Sequence, residues 1–226
     1  MSAVANQPYR VRFAGPGDSE QFMQVIALAD PANPAPFGQA RAVLASRQSP
    51  PLTHEDSMAL VAETADGTIA GALVGGPPRW IFEHPQLAGQ RAVLIALTKR
   101  MTMVNGVAVQ PEHRGRGVGA ALVSAAESLA ARAARGIMLL NHTPDLAGFY
   151  RRLGYTTTDR MAYNLPSPVG LLPTVATDPE LLAFKCLDLR VRQARVKGAH
   201  FPVIGGLLPG TGIAPGTRLA GTRLRR

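Results

Sequence analysis

The chain has 226 residues, of which 46% are hydrophobic, and carries a formal net charge of +9 at pH 7. This length is sufficient for one domain with a full hydrophobic core plus an appendage. It shows neither an apolar run of about 18 residues nor an N-terminal signal segment, so we expect a cytoplasmic protein without membrane association. Cys186 is the single cysteine, which excludes an internal disulfide. No Cys/His cluster has metal-site spacing, so we expect no metal cofactor.

The first 46 residues read as a strand followed by two helices. Residues 9–13 alternate between apolar and polar side chains, which is typical of a β-strand. Asp18, with Gln21 three residues later, resembles a capping box and predicts the start of a helix. Residues 31–36 hold three prolines and are expected to form a loop. Residues 37–46 are predicted to be a second, short helix.

Residues 57–75 are predicted to form a β-hairpin. Two apolar, β-prone runs flank Asp66 and Gly67, and this dipeptide is a strong hairpin-turn signal. The next strand pattern begins only near residue 102. The intervening residues 79–100 are predicted to contain a helix at about residues 86–97. They are either an insertion packed on the sheet edge, or a lid or dimer contact.

A strand, a glycine-rich turn and a helix are predicted between residues 104 and 136. The apolar strand ends before Pro111, and Gly136 is placed as the left-handed cap of the helix. Residues 137–140 then read as a short buried strand. The helical face is marked by residues spaced three or four apart, namely Val118, Leu122, Ala125, Ala126, Leu129 and Ala133.

The turn has the composition of a phosphate-binding loop. Gly115, Gly117 and Gly119 lack Cβ atoms, so a ligand can approach the backbone closely. The free N–H groups of a helix start favour an anion, and Arg114 and Arg116 add positive charge. The other interpretation is a solvated basic loop. Neither the P-loop pattern nor the G-x-G-x-x-G dinucleotide fingerprint fits this spacing.

Two sequence blocks resemble the GNAT N-acetyltransferase superfamily. Residues 114–119, R-G-R-G-V-G, match its R/Q-x-x-G-x-G/A signature. Residues 147–155, A-G-F-Y-R-R-L-G-Y, are similar to its A-x-x-F-Y-x-x-x-G-F/Y block. The resemblance covers residues 104–157 closely and about 9–165 loosely. Residues 79–100 depart from the minimal family pattern.

The resemblance implies an α/β (α+β) fold of the GNAT type. Its central sheet is mixed and mostly antiparallel, is flanked by helices, and has two splayed parallel strands at the acetyl-CoA site. We expect an acetyltransferase domain over residues 1–165, with the 79–100 insertion. A basic, partly irregular C-terminal extension would cover residues 166–226.

The resemblance also implies acetyl-CoA as the cosubstrate. Strand backbone would hold the pantetheine arm and the turn would hold the pyrophosphate. Asn141 resembles a residue whose side chain contacts the pantetheine region; the alternative is a turn residue that ends a strand. The binding residues implied in this way are Val107, Ala108, Val109, Arg114, Gly115, Arg116, Gly117, Val118, Gly119, Ala120 and Asn141.

Tyr150 is the catalytic residue that the resemblance implies. A phenol has an ordinary pKa near 10, so it is protonated at neutral pH and can donate a proton to the leaving thiolate. The neighbouring Phe149 is expected to be the packing residue of the pair. The sequence does not identify the general base. The candidates, selected by residue type alone, are Glu63, Glu83, His84, His113 and His142.

The basic charge is concentrated in the tail. Eight Lys or Arg residues and no acidic residue follow Asp188, which leaves about +1 for residues 1–188. Residues 180–191 could form a helix or a strand. Residues 198–217 are rich in glycine and proline and are expected to be irregular.

We therefore expect an enzyme that transfers an acetyl group from acetyl-CoA to an amine. The amine would belong to a small molecule or a peptide and would attack directly in a ternary complex. The alternative is a non-catalytic acyl-CoA-binding or regulatory module whose basic tail docks on an acidic partner. A homodimer is compatible with the sequence. Nucleic acid is an improbable partner because the tail has few aromatic residues.

Overall fold

The computed structural model describes residues 9–30, 38–46, 52, 57–221 and 223–225. The chain divides into two compact units, one of residues 1–76 and 104–133 and the other of residues 77–103 and 134–226. No unit ends at residue 165, and the 79–100 insertion lies in the same unit as the C-terminal extension. None of the helices in the described parts of the chain has the length and hydropathy needed to cross a membrane.

The helices and strands follow one another in a mixed order. In the described residues the helices are α1 (Ser19–Ile26), α2 (Gly38–Ala45), α3 (Trp80–Glu83), α4 (Arg91–Arg100), α5 (Val118–Arg132) and α6 (Ala147–Arg152). The strands are β1 (Arg10–Phe13), β2 (Met58–Glu63), β3 (Ile69–Gly76), β4 (Met101–Val109), β5 (Ile137–His142), β6 (Thr156–Thr158), β7 (Arg160–Asn164), β8 (Leu171–Val175), β9 (Leu181–Cys186), β10 (Arg192–Ala194), β11 (Val203–Gly205), β12 (Arg218–Ala220) and β13 (Arg223–Arg225).

The first unit contains the predicted hairpin. β2 pairs antiparallel with β1 and with β3, and Gly67 supplies the positive φ of 88° in the turn. Side chains of α1, α2, β2 and β3 form one buried core. The predicted strand at 9–13, the hairpin at 57–75 and the helix at 37–46 are confirmed within the described residues. The predicted proline loop at 31–36 lies outside them.

The helix predicted to start at Asp18 is confirmed, because Asp18 is the N-cap residue of α1, but the capping-box hydrogen bonds expected there are absent. The Asp18 carboxylate accepts hydrogen bonds from Arg12 at 2.7 and 2.9 Å and from the Gly15 N–H at 2.7 Å. It makes no capping bond to α1. Arg12 also bonds Glu63, so a cation on β1 draws the carboxylate away from the helix. The hydrogen bond from Arg12 is the main cause of the lowered pKa of Asp18.

Helix α5 packs against β3 across Gly71. A Cβ atom at position 71 would lie only 2.9 Å from Val118 Cγ1 and 3.0 Å from the Ala108 carbonyl oxygen. Contacts this short would force the helix or the strand to move. Position 71 therefore requires glycine because of the close approach of its neighbours.

The end of α5 differs from the prediction. The left-handed residue after the helix is Ala134, with a φ of 56°, and Gly136 does not have a positive φ. Gly136 is needed for space, because a Cβ atom there would lie 2.8 Å from Val191 Cγ2 and 2.9 Å from an Arg100 guanidinium nitrogen. Gly136 is therefore required for close packing, and the prediction that it caps the helix is wrong.

The second unit contains the antiparallel pair β12–β13 and two further sets of paired strands. In one, β9 pairs antiparallel with β5 and with β6. In the other, the strand order is β10–β11–β7–β8, and only the β7–β11 pair is parallel. The apolar segment that begins near residue 180 is thus a strand, one of the two alternatives left open by the sequence.

The C-terminal extension is packed into the core of the second unit. Val203, Ile204 and Leu207 are at most 1% exposed. Residues 198–217 contain little regular structure, as the sequence predicted, but two of their glycines, Gly205 and Gly206, have very close neighbours. A Cβ atom at Gly206 would lie 1.9 Å from the Arg190 carbonyl oxygen, so this glycine permits a close approach between two chain segments.

The 79–100 insertion shares that core. Leu87 and Leu97 cluster with side chains of β5, β7, β9 and the tail. The Trp80 ring stacks on Tyr163, with centroids 6.0 Å apart. The regular structure is a 3₁₀ turn at Pro85–Leu87 followed by α4, close to the helix predicted at 86–97. This packing supports the interpretation of the segment as a structural insertion.

Arg100, at the end of α4, joins the insertion to the tail. Its guanidinium donates hydrogen bonds to the carbonyl oxygens of Leu207 and Ala134 and, at 2.7 Å, to the carboxylate of Asp188. The side chains of Arg100 and Asp188 are 19% and 17% exposed. Arg190 also binds Asp188 at 2.8 Å, but its side chain is 79% exposed. Solvent therefore screens the Arg190 contact far more than the Arg100 contact.

The pKa of Asp188 is held well below its usual range. Hydrogen bonds from the Arg190 side chain and backbone N–H are the main cause, and the bond from Arg100 adds to them. A lowered folded-state pKa means that this carboxylate stabilises the fold fully above its ordinary pKa of about 4. The contribution is lost as the pH falls below that value.

We predict that Arg100→Met lowers the free energy of unfolding by about 2–3 kcal/mol, because it removes charge-assisted hydrogen bonds to three acceptors, two of them partly buried. Arg190→Met is the matched control, and we expect it to cost less than about 1 kcal/mol. Urea unfolding at pH 7 measures both. Urea unfolding of Asp188→Asn at several pH values should show a difference in the free energy of unfolding from wild type that becomes smaller as the pH falls below 4. If the two arginine variants lost the same free energy of unfolding, Arg100 would not be more important for stability than Arg190.

We also predict that Gly71→Ala costs about 1–3 kcal/mol, the usual range for overpacking. The control is Gly38→Ala at the start of α2, where a Cβ atom would meet no atom within 4 Å. That change should be neutral or slightly stabilising, since alanine has the higher helix propensity. Thermal unfolding of both variants makes the comparison, and a Gly71→Ala protein as stable as wild type would show that α5 is free to shift.

Candidate active site

The glycine-rich turn is anchored to the first unit by its first residue. The Gln110 backbone N–H donates to the Ala70 carbonyl oxygen at 2.9 Å, and its side-chain amide donates to the Ile69 carbonyl oxygen at 2.6 Å. A 3₁₀ turn, Pro111–His113, follows. Arg114 then returns a hydrogen bond of 3.1 Å to the Val109 carbonyl oxygen. These bonds fix the turn between the end of β4 and the start of α5.

Two glycines of the turn have backbone conformations that other residues rarely adopt. The φ angles of Gly115 and Gly117 are 73° and 83°. A Cβ atom at either position would meet no protein atom within 4 Å. Here glycine is required by the backbone angle, and the space beside the backbone is open to a ligand, as the sequence predicted.

The first turn of α5 offers its backbone N–H groups. Gly117 is the N-cap residue, and no side chain caps the helix there. The amides of Val118, Gly119 and Ala120 have no acceptor within the helix. A cavity of about 480 Å³ adjoins this helix start, with Gly117, Ala120, Ala121, Ser124, Ala125 and Val11 lining it. Small side chains thus surround backbone donors, as an anionic ligand requires.

The arginines of the turn are exposed, and neither Arg114 nor Arg116 forms an ion pair with a described residue. Among the predicted pantetheine-binding residues of β4, Val107 and Val109 are partly exposed and Ala108 is buried. Asn141 is exposed on β5. The assignment of these residues to acetyl-CoA stays a prediction.

Tyr150 lies in a group of rings in the second unit. It is 3% exposed, and its ring centroid is 5.0 Å from His142, 5.0 Å from Phe149 and 5.8 Å from Tyr155. Burial raises the pKa of Tyr150 to about 12. Its hydroxyl makes no hydrogen bond to any described residue. Phe149 is the more exposed of the two, so the expectation that Phe149 is the packing residue of the pair is wrong.

Three candidate bases are engaged in other contacts. Glu63 is paired with Arg12 at 2.9 Å, and the hydrogen bond from Arg12 is the main cause of its lowered pKa. His84 accepts a hydrogen bond from the Gln86 N–H. His113 Nδ1 lies 3.3 Å from the Tyr9 hydroxyl. These side chains have structural partners that the sequence alone did not reveal.

His142 is the remaining histidine among the candidates. It is 4% exposed at the end of β5, and its Nδ1 is 2.7 Å from the Thr143 carbonyl oxygen. It stands beside Tyr150, whereas Glu83 lies at the end of α3. The sequence placed His142 near the site by residue order only, and the structure adds the contact with the tyrosine ring. The described residues contain no group of three or more His, Cys, Asp or Glu side chains placed to hold a metal ion.

Comparison with known proteins identifies the architecture. Residues 55–157 match the family model described as the acetyltransferase (GNAT) domain. A comparison with curated proteins gives no significant match.

Several solved structures share the fold. The yncA protein of Salmonella typhimurium, solved with its cofactor acetyl-CoA, is 19% identical with a TM-score of 0.52, and covers 80% of this chain and 95% of its own. A GNAT family acetyltransferase from Elizabethkingia anophelis with acetyl-CoA bound is 13% identical with a TM-score of 0.50, covering 80% and 99%. Ard1 from Thermoplasma volcanium is 17% identical with a TM-score of 0.50, covering 79% and 97%.

These likenesses confirm the fold class predicted from the sequence. The matched segment contains the hairpin, the insertion, the glycine-rich turn, α5 and Tyr150. The chain therefore has the mixed α/β fold of the GNAT acetyltransferases, and its residues 55–157 match the model of their domain.

Proposed function

We propose that this protein transfers an acetyl group from acetyl-CoA to an amine, by direct attack of the amine on the thioester, with Tyr150 as the general acid. The observation that carries the proposal is the uncapped start of α5 behind two open, positive-φ glycines. Such a helix start is a site for a phosphorylated ligand. The acetyl-CoA-bound structures of the same fold support acetyl-CoA as that ligand.

The binding role follows from charge and shape. A pyrophosphate is an anion with several acceptor oxygens, and the amides of residues 118–120 are donors without helical acceptors. Arg114 and Arg116 add positive charge at the exposed edge of the turn. Val107, Ala108 and Val109 would bind the pantetheine arm through strand backbone. Acetyl-CoA supplies the activated thioester, and the chain supplies the groups that hold it.

The chemical role of Tyr150 follows from its environment. Attack by the amine nitrogen forms the C–N bond, and the C–S bond then breaks with its electron pair on sulfur. The sulfur needs a proton, which the Tyr150 O–H can donate. Burial keeps the phenol protonated well above neutral pH, and the hydroxyl makes no hydrogen bond to a described residue.

We predict that Gly117→Glu weakens acetyl-CoA binding by more than tenfold, or more than about 1.4 kcal/mol. The new side chain occupies the space beside the turn and places a negative charge near the pyrophosphate. Isothermal titration calorimetry with acetyl-CoA measures the affinity.

Gly210→Glu is the matched control for this experiment. Gly210 has a φ of 75° and open space around its Cβ position, so both variants carry the same backbone strain and the same charge. Only the Gly117 variant should lose affinity. Unchanged binding in folded Gly117→Glu would remove the turn from the acetyl-CoA site.

We predict that Tyr150→Phe lowers kcat by about 10²–10⁴-fold, the usual contribution of a general acid, and leaves acetyl-CoA affinity nearly unchanged. Turnover is followed by release of free thiol from acetyl-CoA with a panel of amines, amino acids and peptides, which also identifies the acceptor. Tyr163→Phe is the control, because Tyr163 is another buried phenol, outside the proposed site. Full turnover in Tyr150→Phe would assign this side chain to packing. Acetyl-CoA binding without thiol release for any amine would favour the non-catalytic binding module.

A further inference from the structure

His142 is a buried imidazole at the carboxyl end of β5. Side chains alternate between the two faces of a strand, so His142 and the exposed Asn141 lie on opposite faces of β5. His142 is therefore on the covered face, together with Leu140, and Tyr150 of α6 packs against it.

The hydrogen bond of His142 determines which ring nitrogen carries the proton. The Thr143 carbonyl oxygen, 2.7 Å from Nδ1, can only accept a hydrogen bond. Nδ1 must therefore be the donor, and in the neutral ring Nε2 is left with a lone pair. Nε2 is shielded from solvent and has no hydrogen-bond partner among the described residues. A buried acceptor without a donor costs free energy, which calls for an explanation.

The Tyr150 ring is the polar aromatic neighbour of this imidazole. The two ring centroids are 5.0 Å apart, with an interplanar angle of 39°. The Tyr150 hydroxyl likewise makes no hydrogen bond to any described residue. Two adjacent rings thus carry an unused proton donor and an unused proton acceptor.

We propose that His142 stores the proton that passes through Tyr150 during acetyl transfer, with Nε2 as the acceptor atom. This inference rests on the proposed general-acid role of Tyr150. In the proposed reaction Tyr150 exchanges protons with the reacting groups, and His142 acts only through Tyr150, so His142 is a proton-holding and positioning residue.

The proton transfers balance when the acceptor enters as a neutral amine. The amine attacks and the C–N bond forms, which leaves a positive charge on the nitrogen of the tetrahedral intermediate. The nitrogen then gives a proton to the Tyr150 oxygen while the phenolic proton passes to His142 Nε2. As the C–S bond breaks, the Tyr150 proton passes to the sulfur, and the imidazolium returns its Nε2 proton to the Tyr150 oxygen. The nitrogen has lost the proton that the thiol has gained, and both residues are restored.

Burial explains why a second group is useful. The Tyr150 environment disfavours the phenolate, so the tyrosine is a poor site for a separated negative charge. Transfer to an adjacent imidazole avoids that intermediate. The other titratable groups near the pair are Tyr155, which packs on Tyr150, and Lys185, whose Nζ lies 5.6 Å from the Tyr155 ring centroid and donates to the Leu153 carbonyl oxygen at 2.8 Å.

The tautomer can be tested on the wild-type protein without an acceptor. Two-bond ¹⁵N–¹H correlation spectra of histidine-labelled protein distinguish the two neutral forms of the ring. We expect the His142 ring to be protonated on Nδ1 at neutral pH, and assignment of the signal comes from its loss in His142→Gln. A ring protonated on Nε2 would overturn the proposal.

Kinetics test the proton-holding role with the amine that gives the fastest thiol release in the screen. We expect His142→Gln to lower kcat about 10–100-fold with an unchanged Kd for acetyl-CoA. It should also change the dependence of kcat on pH, because the proposed role requires the imidazole to gain and lose a proton in each turnover. His200→Gln is the control, because His200 is exposed and should keep the wild-type profile. Added imidazole should partly restore His142→Ala but not Tyr150→Phe.

The outcomes separate this inference from the proposed function. Low turnover in Tyr150→Phe with wild-type turnover and pH profile in His142→Gln would overturn only the role of His142. A fall in kcat with an unchanged pH profile and no rescue by imidazole would show that His142 only packs against the tyrosine, and would also overturn it. Full turnover in Tyr150→Phe would remove the general acid and this inference together.

Discussion

The proposed function depends on backbone N–H groups that the fold leaves without partners at the start of α5. A helix start can bind an anion only if its position is fixed and no side chain caps it. Both conditions are met locally. Gly71 lets α5 approach β3 within van der Waals contact, and Gly117 enters the helix with a φ of 83° and no side chain. The binding turn therefore depends on two glycines, one that allows close packing and one that allows a left-handed backbone.

The second unit is organised by a different constraint, the need to satisfy backbone carbonyl groups at the ends of chain segments. Arg100 meets this need by donating hydrogen bonds to the carbonyl oxygens of Leu207 and Ala134, and it also forms an ion pair with the Asp188 carboxylate. A guanidinium has five N–H donors in a rigid plane, so one side chain can join α4, the end of the α5 loop and the tail. The insertion and the extension are thereby parts of one core, which the apolar contacts of Leu97 and Leu207 complete.

Local features were predictable from the sequence, and contacts between distant segments were not. Periodicity and turn chemistry gave the hairpin at 57–75 and helix α5, because these depend on neighbours within a few residues. The glycine and arginine spacing at 114–119 indicated the phosphate turn for the same reason. The capping box at Asp18 failed because Arg12, on another element, binds that carboxylate. The packing of the tail could not be predicted, because its glycines make contacts with residues such as Arg190 and composition does not reveal contacts. Gly71 carries no local signal at all, since its partners Ala108 and Val118 lie far along the chain.

The ring cluster around Tyr150 shows how the same burial can serve both stability and chemistry. Packing Tyr150 against His142 and Tyr155 removes a large apolar surface from water, which stabilises the unit. The same packing raises the pKa of the phenol to about 12, so it remains an acid over the whole physiological range. A strongly held proton is, however, also hard to replace once it has been donated, because a buried phenolate is unstable. An adjacent imidazole whose lone pair is fixed by a backbone carbonyl resolves this conflict, since it can exchange a proton with the phenol without solvent. The position of His142 next to Tyr150 thus gives a physical reason for an imidazole nitrogen that the fold buries without a hydrogen-bond partner among the described residues.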